Sequence, residues 1–197
     1  MKGRYKLSQQ IEIEFKNLLT ETEYHHLQQY FKIESSQIKK QINHYFDTKD
    51  FFLKTTSSAL RIREKGNRYE LTLKQPAEVG LLETTQSLSP SEAQEMFAHA
   101  QLPDGPVKSI LELTDIDERL EYFGSLTTYR SEIEYQGGLL VFDHSLYLDV
   151  EDFEVEYEVT VEDRGKQIFK QLLESMNIPF RKTDNKVRRF YQRKYKQ

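Results

Sequence analysis

The chain has 197 residues, of which 37% are hydrophobic and 30% are charged, and its formal net charge is −4. This length is enough for one substantial domain, and the slight acidic excess argues against a general nucleic-acid binder, which normally carries a basic surface. The absence of cysteine excludes disulfides, thiolate metal ligands and a cysteine nucleophile.

Targeting signals are not visible in the sequence. Nothing at the N-terminus reads as a signal peptide, and no apolar run approaches the length of a transmembrane helix. No repeat, low-complexity tract or flexible linker divides the chain. We therefore expect a single domain over residues 1–197, located in the cytoplasm, without membrane or nucleic-acid partners. The oligomeric state is left open.

The first predicted strand, over residues 10–16, has two distinct faces. Successive side chains of a strand point to opposite sides, so Glu12, Glu14 and Lys16 share one face and three apolar side chains share the other. Polar faces of antiparallel sheets usually meet water. This one becomes informative because similar faces recur along the chain.

Two further strands are predicted over residues 59–65 and 69–74, again with alternating polar and apolar side chains. The polar face of the first carries Arg61 and Arg63, and that of the second ends in Lys74. These faces are mainly basic and complement the acidic residues of the first strand.

Helices are predicted between the strands. Thr20 and Glu23 form a capping box for a helix that runs to about residue 33, and Ser89, followed by proline, begins a second. A short third helix follows Gly105, and residues 163–176 carry the apolar stripe of a longer fourth. Such stripes need an apolar surface to cover.

Three later strands continue the alternation. Residues 127–135 are joined by a Gln-Gly-Gly hairpin turn to residues 139–143, and a further strand covers residues 154–161. The polar faces hold Arg130, Glu132 and Glu134 in the first of these strands and Glu154, Glu156 and Glu158 in the last.

In this order the strands resemble the CYTH domains, also called triphosphate tunnel metalloenzymes. Glu12-x-Glu14-x-Lys16 matches the defining E-x-E-x-K pattern, and the other strand motifs follow in the family's order, from about residue 5 to residue 191. The resemblance implies an α+β fold, an eight-stranded antiparallel β-barrel or tunnel with a charged interior, flanked by amphipathic helices. From alternation alone, an open sheet with its charged face in water fits equally well.

The resemblance also implies roles for the charged residues. Arginine forks match phosphate oxygens and lysine acts as a point charge, which gives the substrate-binding set Arg61, Arg63, Lys74, Arg130 and Lys186. Mg²⁺ or Mn²⁺ prefers hard oxygen ligands, which gives the metal-binding set Glu12, Glu14, Glu156 and Glu158. The catalytic group is Glu12, Glu14 and Lys16.

Secondary candidates share these strand faces. Glu132 and Glu134 are equally compatible with a cavity and with the surface, and Glu154 is expected nearer the barrel rim. By the family resemblance Asp143 occupies an inward position. Glu83 is the weaker case, because its strand alternates less regularly.

The basic C-terminal stretch has two interpretations. It is typical of a solvated helix capped by Asp184, whereas the resemblance implies a plug that delivers Lys186 into the tunnel, with Lys182 as a weaker candidate. Asn185 replaces the serine of the family motif, and its tyrosine is displaced to Tyr191. These departures bear on substrate preference.

The leading hypothesis is metal-dependent hydrolysis of a compact small-molecule triphosphate, namely inorganic triphosphate, thiamine triphosphate or a nucleoside triphosphate. One alternative is a non-catalytic module that senses a phosphorylated metabolite or polyphosphate. Another is a class IV-type adenylate cyclase, although no residues in the sequence indicate a base-recognition pocket. Retention of the four carboxylates favours catalysis, because anion binding alone would not need them.

Overall fold

A computed structural model describes residues 8–114 and 119–195 of the protein. The start of the expected family similarity, at about residue 5, lies outside these residues. The strands are β1 Ser8–Leu19, β2 Lys39–Thr48, β3 Ala59–Lys65, β4 Arg68–Pro76, β5 Leu81–Leu88, β6 Leu120–Tyr135, β7 Gly138–Tyr147 and β8 Val150–Val159. The helices are α1 Glu21–Tyr30, α2 Phe52–Thr55, α3 Pro90–His99, α4 Pro106–Leu111, α5 Glu162–Ser175 and α6 Lys186–Lys194, with a 3₁₀ turn at Ser35–Gln37.

The strands form a closed barrel in the order β1-β5-β4-β3-β2-β6-β7-β8. Its registered pairs are antiparallel, and closure leaves no unpaired sheet edge among the described strands. The predicted eight-stranded antiparallel barrel with flanking helices is therefore confirmed, and the open sheet is excluded. Among the described residues, no helix has both the length and the apolar content needed to span a membrane.

The residues group into two compact units. The first consists of Ile42–Ser125 with the chain up to Ile11, and the second of Glu12–Gln41 with Leu126–Gln197. Each has its own apolar core. A single domain over residues 1–197 stays a prediction.

In the second unit, helices cover the apolar faces of the strands. The rings of Phe15 on β1 and Tyr157 on β8 both stack on Phe169 of α5, with centroid distances of 6.2 and 6.4 Å. Leu27 of α1 is fully buried in the same core, with Phe142 of β7. Burying one such side chain contributes about 1.5–3 kcal/mol. The helices thus cover the apolar face of these strands, and the charged residues lie on the opposite face.

The hairpin between β6 and β7 confirms the predicted turn. Gln136 and Gly137 both have positive φ, 47° and 88°, as a two-residue hairpin requires. At Gly138 an added Cβ would lie 2.6 Å from the Glu158 carbonyl oxygen and 2.7 Å from the Tyr157 ring. Glycine is therefore required at position 138, where β7 begins and packs closely against β8.

The predicted N-caps of two helices are confirmed, and that of a third is wrong. The capping box of Thr20 and Glu23 is present, and Ser89 caps α3 in the same way. The expectation that Asp184 caps the last helix is wrong, because Asn185 accepts the hydrogen bond from the Arg188 amide at 2.9 Å.

The last helix is also not a solvated tail. Phe190 and Tyr191 are buried, at 1% and 4% exposure, and the Phe190 ring packs on Tyr147 of β7. An apolar face of α6 is therefore docked on the second unit.

Candidate active site

The charged row of β1 lies largely out of solvent. The side chains of Glu14 and Lys16 are only 15% and 18% exposed, and their charged ends are in contact. The antiparallel register places Glu14 opposite Glu158 and Lys16 opposite Glu156 on β8. Two acidic rows therefore meet across one strand pair, as the alternation of both strands predicts.

Glu12, Glu14 and Glu158 form a group that we call the acidic triad. One carboxylate oxygen of each lies within 4.8 Å of the others. Burial raises the pKa of Glu158 to about 7, and Glu12, Glu156 and Glu14 add to the rise while Arg130 opposes it. Lys16 contacts Glu14, and Arg130 lies 3.9 Å from Glu158. Three converging carboxylate oxygens are a donor set that suits a divalent cation such as Mg²⁺ or Mn²⁺.

Asp143, Glu154 and Glu156 form a second group, the paired carboxylates. Their oxygens also lie within 4.8 Å of one another, and all three residues are buried. Arg130 donates to both oxygens of Asp143, at 2.7 and 2.6 Å, and to Glu156 at 2.8 Å. A planar guanidinium bound at two oxygens is fixed in orientation as well as position.

Lys186 inserts its ammonium among the same carboxylates. Its Nζ lies 2.8 Å from Asp143 and 2.5 Å from Glu156, and it also contacts Glu154. Arg189, one helical turn further along α6, donates to Glu154 at 3.1 and 3.2 Å. Arg130, Lys186 and Arg189 thus bind the paired carboxylates directly, whereas Arg130 lies 3.9 Å from Glu158 of the acidic triad.

The pKa values follow from this difference. Burial alone would raise the pKa of Glu156, but Lys186, Arg130 and Lys16 together hold it well below its ordinary value. The pKa of Asp143 is lowered in the same way, against its burial, by Arg130 and Lys186. Burial lowers the pKa of Lys16, yet Glu14, Glu156 and Glu154 raise it on balance. These groups are therefore charged at neutral pH.

The four glutamates expected to bind metal are thus divided. Glu12, Glu14 and Glu158 converge, whereas Glu156 is engaged by Arg130 and Lys186. Glu156 and Glu158 belong to one row of β8 by strand alternation, and the direct contacts of Arg130 and Lys186 with Glu156 distinguish them.

The first unit carries the remaining predicted phosphate ligands. Arg61 and Arg63 lie on β3 and Lys74 on β4. Arg63 donates from Nε to the Asn43 amide oxygen at 3.2 Å, and Lys74 is paired with Glu83. Within the described part of the chain, the buried Nε of Arg61 has no hydrogen-bond partner, which leaves a donor for an anionic ligand.

The secondary candidates have mixed outcomes. Glu132 and Glu134 are exposed, although Glu132 still lies 3.8 Å from Arg130. Glu154, expected nearer the barrel rim, has a side chain that is 1% exposed and bonded to Arg189. Glu83 is buried.

The sequence interpretation missed two residues of the site. Arg189 was not separated from its basic neighbours, although its spacing of three from Lys186 places both on one helix face. Asn17 was overlooked as well, although it interrupts the apolar row of β1. It is fully buried and contacts the segment before α6.

Comparison with known proteins bears on this arrangement. The model of the CYTH domain family matches residues 10–191. A Bacillus subtilis (strain 168) protein named "Putative triphosphatase YjbK" is 48% identical over 191 residues, which cover 96% of this chain and 99% of that protein.

Solved structures agree with the fold. A Bacillus halodurans protein described as a "putative adenylate cyclase" is 43% identical with a TM-score of 0.90, covering 93% of this chain and 98% of its own. HpAC1 from Hippeastrum, described as revealing a dominant triphosphatase activity, shares the fold at 24% identity and a TM-score of 0.72, covering 92% and 96%. The family match over most of the chain and the identity to YjbK confirm the resemblance seen in the strand motifs, and the chain belongs to the CYTH domain family.

Proposed function

We propose that this protein hydrolyses a compact triphosphate in a reaction that depends on a divalent metal. The single observation that carries the proposal is the acidic triad, a half-buried group of three carboxylates whose oxygens lie within 4.8 Å of one another. The name of the Bacillus subtilis relative, at 48% identity over nearly the whole of both chains, supports the same reaction class.

Glu12, Glu14 and Glu158 would hold the metal, which we propose to be Mg²⁺ or Mn²⁺. The donor set fits because it consists only of carboxylate oxygens, and because a cation would offset the burial of charge and the repulsion that together raise the pKa of Glu158. When bound, the metal would neutralise charge on the phosphate oxygens.

The basic residues would bind and orient the triphosphate. In the second unit, Arg130 is held rigidly by Asp143 and Glu156, so its remaining donor face is fixed in advance. Lys16 and Lys186 add charge beside it. In the first unit, Arg61, Arg63 and Lys74 are the proposed ligands, and the unpaired Nε of Arg61 is a donor ready for phosphate. Fixed donors need little rearrangement during the reaction.

The proposed chemistry is direct attack by water on a terminal phosphorus. A bond forms from the water oxygen to phosphorus, and the bond to the bridging oxygen breaks, so inorganic triphosphate would give phosphate and pyrophosphate. No covalent protein intermediate is needed. The contribution of the chain is positioning and charge neutralisation. The proposed location is the cytoplasm, and the proposed partner is the small-molecule substrate alone.

Adenylate cyclase is the second candidate, favoured by the name of the Bacillus halodurans protein at 43% identity. Cyclisation of ATP needs an intact nucleotide with its ribose 3′-oxygen placed for attack on the α-phosphorus. The two reactions differ in products, since one gives orthophosphate and the other gives cyclic AMP and pyrophosphate.

A product assay tests the proposal. Purified protein is given inorganic triphosphate, thiamine triphosphate or ATP, each with Mg²⁺, Mn²⁺ or EDTA, and orthophosphate, pyrophosphate and cyclic AMP are measured. We expect metal-dependent phosphate release that Glu12→Gln abolishes and Glu134→Gln, at an exposed strand glutamate, preserves. Cyclic AMP as the main product would favour the cyclase, and binding without turnover would favour a sensory module.

A further inference from the structure

Asn17 is a polar residue in the apolar row of β1. Its side chain is fully buried, and its amide group serves as both donor and acceptor. Nδ2 donates to the carbonyl oxygens of Leu18 and Pro179, at 2.9 and 3.1 Å, and Oδ1 accepts from the Arg181 amide at 2.6 Å. The Asn17 amide thus bonds the carbonyl of Pro179 and the N–H of Arg181, two residues later. A neighbouring strand would form the same pair of hydrogen bonds.

Arg181 adds a second attachment for the same segment. Its guanidinium donates to both carboxylate oxygens of Glu23, at 2.8 and 2.9 Å, and to the Leu18 carbonyl at 3.0 Å. Glu23 also accepts from the Thr20 amide in the capping box of α1. The segment before α6 is therefore tied to β1 and to the start of α1.

The connection continues from this segment to the paired carboxylates. Arg189 donates to the Thr183 hydroxyl at 3.1 Å and to the Asp184 carbonyl at 2.6 Å, while it also binds Glu154. The turn that leads into α6 is thus held from both ends. Lys186, the first residue of the helix, follows directly.

We propose that Asn17 is a positioning residue that acts through Lys186. By fixing residues 179–181 against β1, its amide sets where α6 begins and brings the Lys186 ammonium among Asp143, Glu154 and Glu156. The proposal rests on the proposed function, in which Lys186 binds phosphate. A lysine has a long flexible side chain, so a fixed starting point for its backbone reduces the positions that its charge can occupy.

Because Asn17 is buried, neither alanine nor aspartate can replace its hydrogen bonds. Alanine at this position leaves the Pro179 carbonyl and the Arg181 amide without their partner. Aspartate keeps the size and the acceptor, yet it cannot donate to Pro179 and turns a charge toward two carbonyl oxygens. Both substitutions should release residues 179–181 from β1, and aspartate should not restore the position that asparagine gives them.

A double-mutant cycle on triphosphate hydrolysis tests action through Lys186. We expect Asn17→Ala to lower kcat/KM by roughly 100-fold, the typical effect of a small displacement of a positioned group. In a Lys186→Met background the same change should alter kcat/KM by no more than about twofold, because the residue through which it acts is gone. Met176→Ala, a change in the apolar core of the same unit, is the matched control and should have the same fold effect in both backgrounds.

Hydrogen exchange of the α6 amides supplies a readout that does not require activity. In the Asn17→Ala variant the amides of Lys186–Lys194 should exchange faster than in wild type, while the amides of β7 and β8 remain protected. Arg181→Ala, whose side chain is 34% exposed, disturbs the same segment at its accessible end. It serves as the second variant if Asn17→Ala does not fold.

The outcomes separate the two proposals. Wild-type protein without activity on any triphosphate would contradict the proposed function. The hydrogen exchange of α6 would then test by itself whether Asn17 positions the helix. Unchanged exchange and wild-type kcat/KM in the Asn17 or Arg181 variants would overturn the positioning role. Equal losses for Asn17→Ala with and without Lys186 would overturn it too, since they would show a general effect on folding.

Discussion

Arg130 and Asp143 are direct cross-strand partners on β6 and β7, and the guanidinium binds both oxygens of the carboxylate, at 2.7 and 2.6 Å. Asp143 is fully buried, so this pair is among the least solvated charges of the second unit. Removing one partner from such a pair is strongly destabilising. The pair therefore fixes the hairpin and orients Arg130 for its proposed phosphate contacts at the same time.

The acidic triad should determine metal affinity. Glu12→Gln and Glu158→Gln each remove a hard anionic ligand while conserving shape, so we expect Mn²⁺ affinity to fall by more than about 100-fold, at or beyond the upper end of what loss of a supporting residue causes at metal sites. Titration calorimetry measures this directly. Glu134→Gln is the control and should bind like wild type. Unchanged affinity in both triad variants would mean that the metal binds elsewhere.

Glu156→Gln should behave differently from the triad variants. The change weakens the ion pairs with Arg130 and Lys186, so the free energy of unfolding should fall by roughly 1.5–3 kcal/mol, the typical value for hydrogen bonds to charged groups. Urea unfolding in EDTA measures this change. Mn²⁺ affinity should stay closer to wild type than in Glu158→Gln. A loss of metal binding as large as that in Glu158→Gln would place Glu156 among the metal ligands after all.

The pH dependence of stability without metal should reveal the raised pKa of Glu158. The pKa of Glu158 is raised from 4.5 to about 7 in the folded protein, so the folded state keeps a proton that the unfolded state loses. Its stabilising contribution is present below pH 4.5 and is lost as the pH rises through about 7. In EDTA, wild type should therefore lose stability relative to Glu158→Gln between pH 5 and pH 8. A constant difference in unfolding free energy over this range would contradict the raised pKa.

Triphosphate binding should depend on the arginines of β3. Arg61→Ala or Arg63→Ala should weaken it by roughly 1.5–3 kcal/mol, the value of hydrogen bonds to a charged group. Arg68→Ala, at an exposed arginine of β4, controls for the general loss of positive charge. Calorimetric titration with triphosphate that gives the same affinity for Arg61→Ala, Arg63→Ala and Arg68→Ala would exclude this strand face from the binding site.

Ligand should stabilise the protein according to the number of phosphates. A complex that binds only the folded state adds about 2.7 kcal/mol at a hundredfold excess over Kd, which corresponds to a rise in Tm of about 5–10 °C for a domain of this size. Differential scanning fluorimetry with Mg²⁺ and triphosphate, pyrophosphate or phosphate at matched ionic strength measures the series. Orthophosphate should give a much smaller rise, and equal rises for all three would argue against an extended site.

The strands and helix starts could be predicted because their signals are local. Alternation in residues 10–16 identifies the two faces of β1, and the capping box of Thr20 and Glu23 identifies the start of α1. The Gln136-Gly137-Gly138 turn fixes the register of the hairpin. These features depend on a few neighbouring residues, which the chain order displays directly.

The division of the carboxylates could not be predicted in the same way. Glu154, Glu156 and Glu158 are equivalent by strand period, and the distinction between them comes from Lys186 and Arg189, which belong to a distant helix. The role of Asn17 also depends on contacts with residues more than 160 positions away along the chain. Such contacts follow from how the C-terminal segment docks, and local patterns carry no signal for that.

The two sources of positive charge around the paired carboxylates have a consequence for biosynthesis. Arg130 precedes Asp143 by 13 residues and can pair with it as soon as the hairpin forms, whereas Lys186 follows Glu156 by 30 residues. At about 5–20 residues per second, a ribosome reaches Lys186 about 1.5–6 s after Glu156. Until α6 has docked, Asp143, Glu154 and Glu156 lack the cations that this helix supplies. These carboxylates would then be hydrated or protonated, and α6 would complete their neutralisation only after translation has passed it.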